Sequence, residues 1–418
     1  MSAKKIEADW LRDERLQAIL SALASDGEEA RVVGGAVRNH LFGEPIGDVD
    51  IATTCLPEET VRRAEAAGMK TVPSGIEHGT VIIGAGHHGF ETTTLREDVE
   101  TDGRRAKVRF GRDWEADARR RDFTVNALYC EADGTIVDHV GGLDDIESRA
   151  IRFIGEPEER IREDYLRILR FFRFFAWYGT GRPDTHGLLA CTRLKDGLAG
   201  LSAERIWTEM RRLLEAPDPS RAILWMRQAG VLTRVLPESE KWGIDAIRPL
   251  VDAEKAFKWQ PQALLRLAAI IPHMPDRAAA VAERWKLSNA ERDRLIDWAE
   301  APDVKPDLSE AAFAKLLYRS KAHAVQDRVK LALASARAKA DTNAEWLEAV
   351  AGYARLTRFA ENWKKPKFPL AGADMIAAGF SQGPQMGQAL RDLEERWIES
   401  GFRLDRDTLL NEAKSLSG

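Results

Sequence analysis

Two aspartates, Asp48 and Asp50, follow a glycine pair and an arginine in the segment VVGGAVRNHLFGEPIGDVDI. The pattern predicts a short strand, a turn at Gly34 and Gly35, one or two helical turns, and a second strand that carries both aspartates. Residues two apart on a strand share a face, so the carboxylates repel each other unless a hard cation lies between them. The glycines let backbone amides approach an anion, and Arg38 can close on it. A phosphate clamp before a carboxylate pair is what phosphoryl or nucleotidyl transfer with bound Mg²⁺ requires.

Each half of this pattern is weak evidence alone, because a glycine pair is usually only a turn and Asp-x-Asp is usually solvated. In this order, GGAVR and GDVD resemble the first motif of the class II tRNA nucleotidyltransferase and bacterial poly(A) polymerase family, in the DNA polymerase β superfamily. The resemblance implies that Asp48 and Asp50 hold two Mg²⁺ ions. It also implies a third carboxylate on the second arm of a predicted hairpin, where Glu91 is the candidate, although a glutamate on such a strand is usually solvent-facing.

A second motif, RRDFTVNAL, contains Arg121, Asp122 and Asn126. If this segment is helical, Asp122 and Asn126 share a face. Arg121 can contact phosphate, and Asp122 can accept a hydrogen bond from a ribose 2′-hydroxyl. A capped helix start with solvated arginines explains these residues in isolation, but the segment matches the family's second motif nearly letter for letter. The charged stretch 97–115 predicts a solvated loop, and the resemblance implies a flexible loop there that takes part in the change from C to A addition.

The segment EDYLRILRFFR predicts a helix on which Asp164, Arg167 and Arg170 follow one another at three-residue spacing. Glu163 lies four residues before Arg167, so an ion pair can hold the guanidinium still. Surface salt bridges on an amphipathic helix are the ordinary interpretation. Cytosine and adenine both present an amine beside a ring-nitrogen acceptor, so a fixed carboxylate and guanidinium accept C and A and mismatch U and G. EDxxR matches the family's protein-template motif, and Arg170 and Arg173 match its further nucleotide-contacting arginines.

The length of 418 residues predicts about three domains at ~150 residues each. We predict an α+β protein in which a small mixed β-sheet nucleotidyltransferase head, residues 1–150, precedes an extended all-α neck, body and tail. The neck, residues 151–235, contains the base-selecting helix, and the body and tail, residues 236–418, bind tRNA. The segment LSAERIWTEMRRLLEAPDP, with Ser202 as N-cap, resembles the family's last neck motif and is expected to support the helix of Asp164.

The composition, 44% hydrophobic and 31% charged, is ordinary for a soluble protein, and no apolar run of about 18 residues predicts a membrane span. Three widely spaced cysteines and the absence of a signal-peptide pattern predict reduced thiols and a cytoplasmic location. No obligate protein partner is evident. Because the net charge is −5, contact with tRNA must come from local clusters. The candidates for contact with the RNA backbone are Lys321, Arg328, Lys330, Arg337, Lys364 and Lys365.

The resemblance predicts an enzyme that adds CMP and AMP from CTP and ATP to the tRNA 3′ end without a nucleic-acid template. Two alternatives stay open. The head motifs are shared with poly(A) polymerases and with enzymes that add only CC or only A, although the segment VIIGAGHHGFETTTLRE lacks the basic strand that bacterial poly(A) polymerases tend to carry. The second alternative is not an enzyme: it is a non-catalytic RNA-binding or chaperone module on a degenerate polymerase-like head. Loss of either aspartate would favour it, and both are present.

Overall fold

The computed structural model describes residues 4–85, 88–102, 105–240 and 243–417. The chain divides into two compact units, Met1–Pro237 and Glu238–Gly418. The strands, all in the first unit, are β1 (Ala30–Val33), β2 (Asp50–Thr53), β3 (Thr71–Pro73), β4 (Thr80–Ala85), β5 (His88–Thr94), β6 (Arg96–Asp102), β7 (Arg105–Phe110), β8 (Leu128–Cys130) and β9 (Ile136–Asp138).

The helices follow and interleave with these strands. In the first unit they are α1 (Glu14–Leu23), α2 (Gly35–Phe42), α3 (Pro57–Ala66), α4 (Trp114–Arg119), α5 (Gly142–Ser148), α6 (Pro157–Glu163), α7 (Leu166–Tyr178), α8 (Thr185–Leu194), α9 (Ala203–Leu214), α10 (Ser220–Gln228) and α11 (Val231–Val235). In the second unit they are α12 (Ile247–Phe257), α13 (Ala263–Ile270), α14 (Pro275–Arg284), α15 (Asn289–Glu300), α16 (Glu310–Arg319), α17 (Ala322–Ala340), α18 (Trp346–Glu361), α19 (Gly372–Ala377), α20 (Pro384–Glu399) and α21 (Arg406–Ser417).

Seven strands form one mixed sheet in the order β3-β4-β5-β2-β1-β8-β9. Only β2 and β5 pair in parallel, and every other neighbouring pair is antiparallel. The sheet is followed by helices to the end of the described chain. The predicted α+β class, a small mixed sheet followed by helices, is therefore confirmed.

The turn from β1 into α2 follows the predicted pattern. Gly34 has a φ of +70°, a backbone conformation that favours glycine, and α2 begins at the next residue. The helix ends at Phe42 and is followed by Gly43, whose φ is +75° and whose N–H donates to the carbonyl of His40 at 3.1 Å. Gly43 is thus a left-handed C-terminal cap.

The charged stretch 97–115 is not a loop. β6 and β7 pair in an antiparallel arrangement with a shift in register between Asp98 and Glu100, and residues 103–104 lie outside the described residues. The alternation of apolar and charged residues in RAKVRF is a strand pattern. The density of charge in this stretch concealed that pattern, so the loop prediction was wrong.

In the first unit, α7 contributes Ile168, Leu169, Phe171 and Phe172 to the core, and all four are fully buried. It packs against α9 and α10. In the second unit, α17 packs against α12 and α18. No helix of the described residues is both long enough and apolar enough to cross a membrane.

Candidate active site

A cleft of about 580 Å³ in the first unit brings together residues from the glycine turn, the RRDFTVNAL segment, the region between α6 and α7, and α9. It is lined by Gly34, Gly35, Arg38, Asp50, Arg96, Arg120, Arg121, Asp122, Asn126, Asp164, Leu166, Arg167, Arg170, Arg173, Phe174 and Arg205. Eight arginines and three aspartates make this lining strongly positive, so it is complementary to a polyanion such as a nucleoside triphosphate. Of the residues predicted for catalysis, nucleotide binding or their support, Asp48, Glu91 and Glu163 lie outside this lining.

Arg38 connects the glycine turn to α7. Its Nη1 donates to Oδ1 of Asn126 at 2.6 Å, and its Nη2 donates to the hydroxyl of Tyr178 at 3.0 Å. The guanidinium also lies 4.8 Å from the centroid of the Tyr178 ring. A Cβ added to Gly34 would lie 3.8 Å from Nη1 of Arg121. The glycine turn and two arginines therefore meet at one wall of the cleft.

The carboxylates at the edge of the cleft do not all lie on β2. The strand begins at Asp50, whereas Asp48 precedes it in an irregular, exposed segment. The prediction that one strand carries both aspartates was therefore wrong. The physical reason is that Pro45 and Gly47 disfavour regular strand pairing in the segment before Asp50. The parallel register of β2 and β5, in which Ile51 pairs with Thr92, places Asp50 level with Glu91.

Burial, together with the negative charges of Glu91 and Asp48, raises the pKa of Asp50 to about 6. Glu91 and Asp48 are thus both close enough to Asp50 to disfavour its negative charge. Carboxylate oxygens are the ligands that Mg²⁺ prefers, so the chemistry of these donors fits that ion. Within the described residues, no group of three or more His, Cys, Asp or Glu side chains forms a ready-made metal site.

Asp122 lies before a short 3₁₀ turn, Thr124–Asn126, and not on a longer helix. It still contacts Asn126, whose Nδ2 donates to Oδ1 of Asp122 at 2.9 Å, and the same oxygen accepts the N–H of Phe123 at 2.9 Å. Oδ2 accepts from Nε of Arg170 at 2.7 Å. Burial acts to raise the pKa of Asp122, but the Arg170 charge and the Asn126 hydrogen bond outweigh it and lower the pKa.

Arg121 is held by Asp117, a buried residue of α4 that the sequence interpretation missed. Oδ2 of Asp117 accepts from Nη2 of Arg121 at 3.0 Å and from the hydroxyl of Tyr129 at 2.8 Å, and Oδ1 lies 2.7 Å from Nη2 of Arg120. Despite burial, the charges of Arg121 and Arg120 lower the pKa of Asp117 to about 2. The spacing of four residues between Asp117 and Arg121, which brings side chains together on a helix, could have predicted this contact.

The segment predicted to select the base is broken into two helices. α6 ends at Glu163, and Asp164 is extended with φ −154° and ψ 106°, so Asp164 and Arg167 do not lie on one continuous helix as predicted. Oδ1 of Asp164 accepts the N–H of Leu166, the first residue of α7, at 3.0 Å. The expected ion pair of Glu163 with Arg167 is present, and Nη1 of Arg167 also donates to the carbonyl of Arg160 at 2.8 Å. Asp164 and Arg167 both line the cleft.

Two further residues of α9 contact this group. Nη2 of Arg205 donates to Oδ2 of Asp164 at 2.6 Å. Glu209 is buried, and its Oε2 accepts from Nε of Arg173 at 2.6 Å while its Oε1 lies 3.7 Å from Nη1 of Arg170. The sequence interpretation expected α9 only to support the helix of Asp164. The spacing of four residues between Arg205 and Glu209, on an amphipathic helix, could have identified both.

The cations predicted to contact RNA do not share one face of α17. Arg328 and Lys330 are two residues apart, so they point to nearly opposite sides of the helix. Arg328 forms an ion pair with Asp303 and is largely buried. Lys330 lies over the ring of Trp259, 4.9 Å from its centroid.

The remaining predicted cations have varied surroundings. Arg337 lies over the ring of Phe257, 5.1 Å from its centroid, and Lys365 lies over Tyr318 at 4.6 Å. Lys321 and Lys364 are exposed. RNA contact at these positions stays a prediction.

Comparisons with known proteins identify the family. The chain matches the family described as "Poly A polymerase head domain" over residues 30–152, and that described as "Probable RNA and SrmB- binding site of polymerase A" over residues 184–242. The CCA tRNA nucleotidyltransferase 1, mitochondrial, of Mus musculus is 33% identical over 422 residues, covering 99% of this chain and 93% of that relative. The chain belongs to the CCA-adding tRNA nucleotidyltransferase family.

Bacterial members of the CCA-adding family are equally similar. The CCA-adding enzyme of Limosilactobacillus fermentum is 34% identical over 417 residues, covering 99% of both chains. The crystal structure of the Bacillus stearothermophilus CCA-adding enzyme in complex with CTP has a TM-score of 0.75 to this chain at 29% identity, covering 96% of each. The predicted resemblance and the predicted class of enzyme, a CCA tRNA nucleotidyltransferase, are confirmed.

Proposed function

We propose that this protein adds CMP and AMP, from CTP and ATP, to the 3′ end of tRNA, and that side chains replace a nucleic-acid template. The observation that carries the proposal is the single cleft in which Asp50, Asp164 and Arg167 lie together with seven further arginines. This reaction needs an acidic residue at the reacting end of the nucleotide, positive charge beside the triphosphate, and a carboxylate–guanidinium pair beside the base.

Each part of the nucleotide has its own group of residues in this proposal. The amides of Gly34 and Gly35, with Arg38 and Arg121, bind phosphate. Asp164 accepts from the amine of cytosine or adenine, and Arg167 donates to the neighbouring ring nitrogen. Arg170 and Arg173 are additional contacts to the nucleotide, and Glu163 restrains Arg167.

CCA-adding enzymes generally use divalent metal ions. We assign two Mg²⁺ ions to Asp48 and Asp50, with Glu91 beside Asp50. When bound, Mg²⁺ lowers the pKa of the primer 3′-hydroxyl and neutralises charge on the triphosphate and the leaving pyrophosphate. The raised pKa of Asp50 supports this assignment, because burial and the charges of Glu91 and Asp48 disfavour the carboxylate, and a cation would offset both effects.

Recognition of the ribose by Asp122 stays a prediction. The two carboxylate oxygens already accept from Phe123, Asn126 and Arg170. A carboxylate has about four lone-pair positions, and Nη2 of Arg170, 2.6 Å from Oδ2, occupies the fourth. A 2′-hydroxyl therefore reaches Asp122 only if one of these donors gives way.

The test is an assay of products. The protein is incubated with Mg²⁺, tRNA that lacks its 3′ CCA, and each labelled nucleoside triphosphate alone and in combination. The proposal expects CC from CTP alone, CCA from CTP with ATP, and little incorporation of UMP or GMP. A long A tail would identify a poly(A) polymerase, and addition of only CC or only A would identify a restricted enzyme. Binding of tRNA without incorporation of any nucleotide would favour the non-catalytic module.

The cytoplasmic location stays a proposal. Cys55, Cys130 and Cys191 are buried and form no disulfide, which fits a reducing compartment. The relative from Mus musculus is named as mitochondrial. Fractionation of cells with an antibody to the protein distinguishes the two locations.

A further inference from the structure

The carboxylate of Asp164 is restrained at both of its oxygens. Oδ1 accepts the N–H of Leu166 at 3.0 Å, at the start of α7, and Oδ2 accepts from Nη2 of Arg205 at 2.6 Å, on α9. The side chains of Asp164 and Arg205 are only 19% and 25% exposed, and both line the cleft. Rotation of the carboxylate would break both contacts.

Arg205 is itself fixed by its place on α9. Its N–H donates to Oγ of Ser202, the N-cap of that helix, at 3.4 Å. One turn later on α9, Glu209 accepts from Nε of Arg173 at 2.6 Å. α9 therefore contacts the cleft-lining residues at two points along its length, through an arginine and through a glutamate. The helix thus fixes the backbone of Arg205, and the charge-assisted contact of 2.6 Å with Asp164 holds the guanidinium against that carboxylate.

We infer that Arg205 is a positioning residue for base selection, which holds the carboxylate of Asp164 in the orientation that rejects uracil and guanine. This inference rests on the proposed function. An ionised carboxylate only accepts hydrogen bonds, and after the contacts to Leu166 and Arg205 each oxygen keeps about one lone pair. The amine of cytosine or adenine can donate to that lone pair. The carbonyl oxygen that uracil or guanine places there is repelled, provided the carboxylate cannot turn away.

Removal of Arg205 should therefore change which bases are incorporated, and not only the rate of incorporation. Without Arg205, only the N–H of Leu166, of the groups that the structure describes, restrains the carboxylate of Asp164. The carboxylate can then turn further from a carbonyl oxygen, and the mismatch with uracil costs less. The triphosphate contacts are common to all four nucleotides, so a role in phosphate binding would affect every nucleotide equally. The ratio of CMP to UMP incorporation distinguishes these two roles.

The experiment compares wild-type protein with Arg205→Met, which keeps the aliphatic stem, and Arg205→Lys, which keeps the charge. Arg211→Met is the matched control, because Arg211 is a half-exposed arginine of the same helix whose ion pair with Glu215 is 3.7 Å long. For each variant, kcat/KM for CTP and UTP is measured on tRNA that lacks CCA, and kcat/KM for ATP and GTP on tRNA ending in CC.

Arg205→Met is expected to lower the CTP-to-UTP and ATP-to-GTP ratios of kcat/KM by about tenfold. The ratios for Arg205→Lys should lie between those of Arg205→Met and wild type, and the ratios for Arg211→Met should match wild type. If Arg205→Met does not fold, the ratios of Arg205→Lys decide alone. An equal loss for all four nucleotides, or unchanged ratios in a folded variant, would overturn the inference. Wild-type protein that incorporates no CMP would overturn the proposed function instead.

Discussion

At the scale of single residues, the cleft is a set of arginines that are ordered before any ligand arrives. Arg121 is held by Asp117, and Arg173 is held by Glu209. A flexible arginine loses side-chain entropy when it binds, at a cost of about 0.5–1.5 kcal/mol for each immobilised side chain. Acids that hold the guanidinium groups in advance reduce that cost, so we expect Asp117 and Glu209 to increase nucleotide affinity without contact with the nucleotide.

The two adjacent glycines of the first motif should respond differently to alanine. Gly34→Ala places a side chain at φ +70°, which costs about 1–2 kcal/mol of folding free energy. Gly35→Ala adds a Cβ that meets no protein atom within 4 Å, so the free energy of unfolding should change little. That Cβ enters the space assigned to phosphate and should raise KM for CTP.

Thermal unfolding and steady-state kinetics of both variants check this prediction. We expect Gly34→Ala to lower Tm by several degrees, and Gly35→Ala to keep Tm while KM rises about tenfold. A Gly35→Ala enzyme with wild-type KM would show that the triphosphate does not approach this backbone. A Gly34→Ala enzyme with unchanged Tm would show that the turn relaxes without strain.

At the scale of elements, structure that depends on neighbouring residues could be predicted from the sequence. A helix break whose contacts come from distant residues could not. The segment from β1 to Gly43 formed as predicted, because a strand, a turn and a glycine cap are each encoded by neighbouring residues. The break at Asp164 was not predicted, because helical periodicity continues across it. Asp164 at that break accepts a hydrogen bond from Arg205, which lies 41 residues later in the chain, so this contact cannot be inferred from local spacing.

The turn before α9 contains a close contact between Gly197 and the ring of Tyr165, and substitution of this glycine tests how much the packing beside Asp164 depends on it. A Cβ added to Gly197 would lie 2.0 Å from the ring of Tyr165, the residue after Asp164, so the ring must move. Overpacking of this kind costs about 1–3 kcal/mol. A Cβ added to Gly200, in the same turn, meets nothing within 4 Å.

We therefore expect Gly197→Ala to lower Tm by several degrees and to reduce kcat/KM for CTP, while Gly200→Ala retains wild-type values. Differential scanning calorimetry and the CMP incorporation assay measure the two effects. Equal Tm values for the two variants would contradict the close packing of this turn against Tyr165.

At the scale of the whole molecule, an acidic protein must bind an acidic substrate. The net charge is −5, yet the cleft lining contains eight arginines and three aspartates. In the second unit, Arg319 pairs with Glu395 and Glu399, whereas Lys330 and Arg337 lie over aromatic rings. Cations that face rings retain their charge for phosphate, so these two are the better candidates for tRNA contact.

The double variant Lys330→Met/Arg337→Met should weaken tRNA binding several-fold and reduce the slope of log Kd against log salt by about one to two. Arg319→Met is the control, since acids already match its charge. Fluorescence anisotropy with labelled tRNA at several salt concentrations measures both quantities. An unchanged slope in the double variant would remove these two residues from the RNA surface.

Single-turnover incorporation of labelled CMP by Asp50→Asn is the most direct test of the claim that one carboxylate-edged, arginine-lined cleft performs the reaction. The variant keeps the size of the side chain and loses its charge. With saturating Mg²⁺ and tRNA that lacks CCA, we expect the rate to fall by about a thousandfold or more, while the Kd for tRNA stays within about twofold of wild type. Incorporation at a rate near that of wild type would contradict the account.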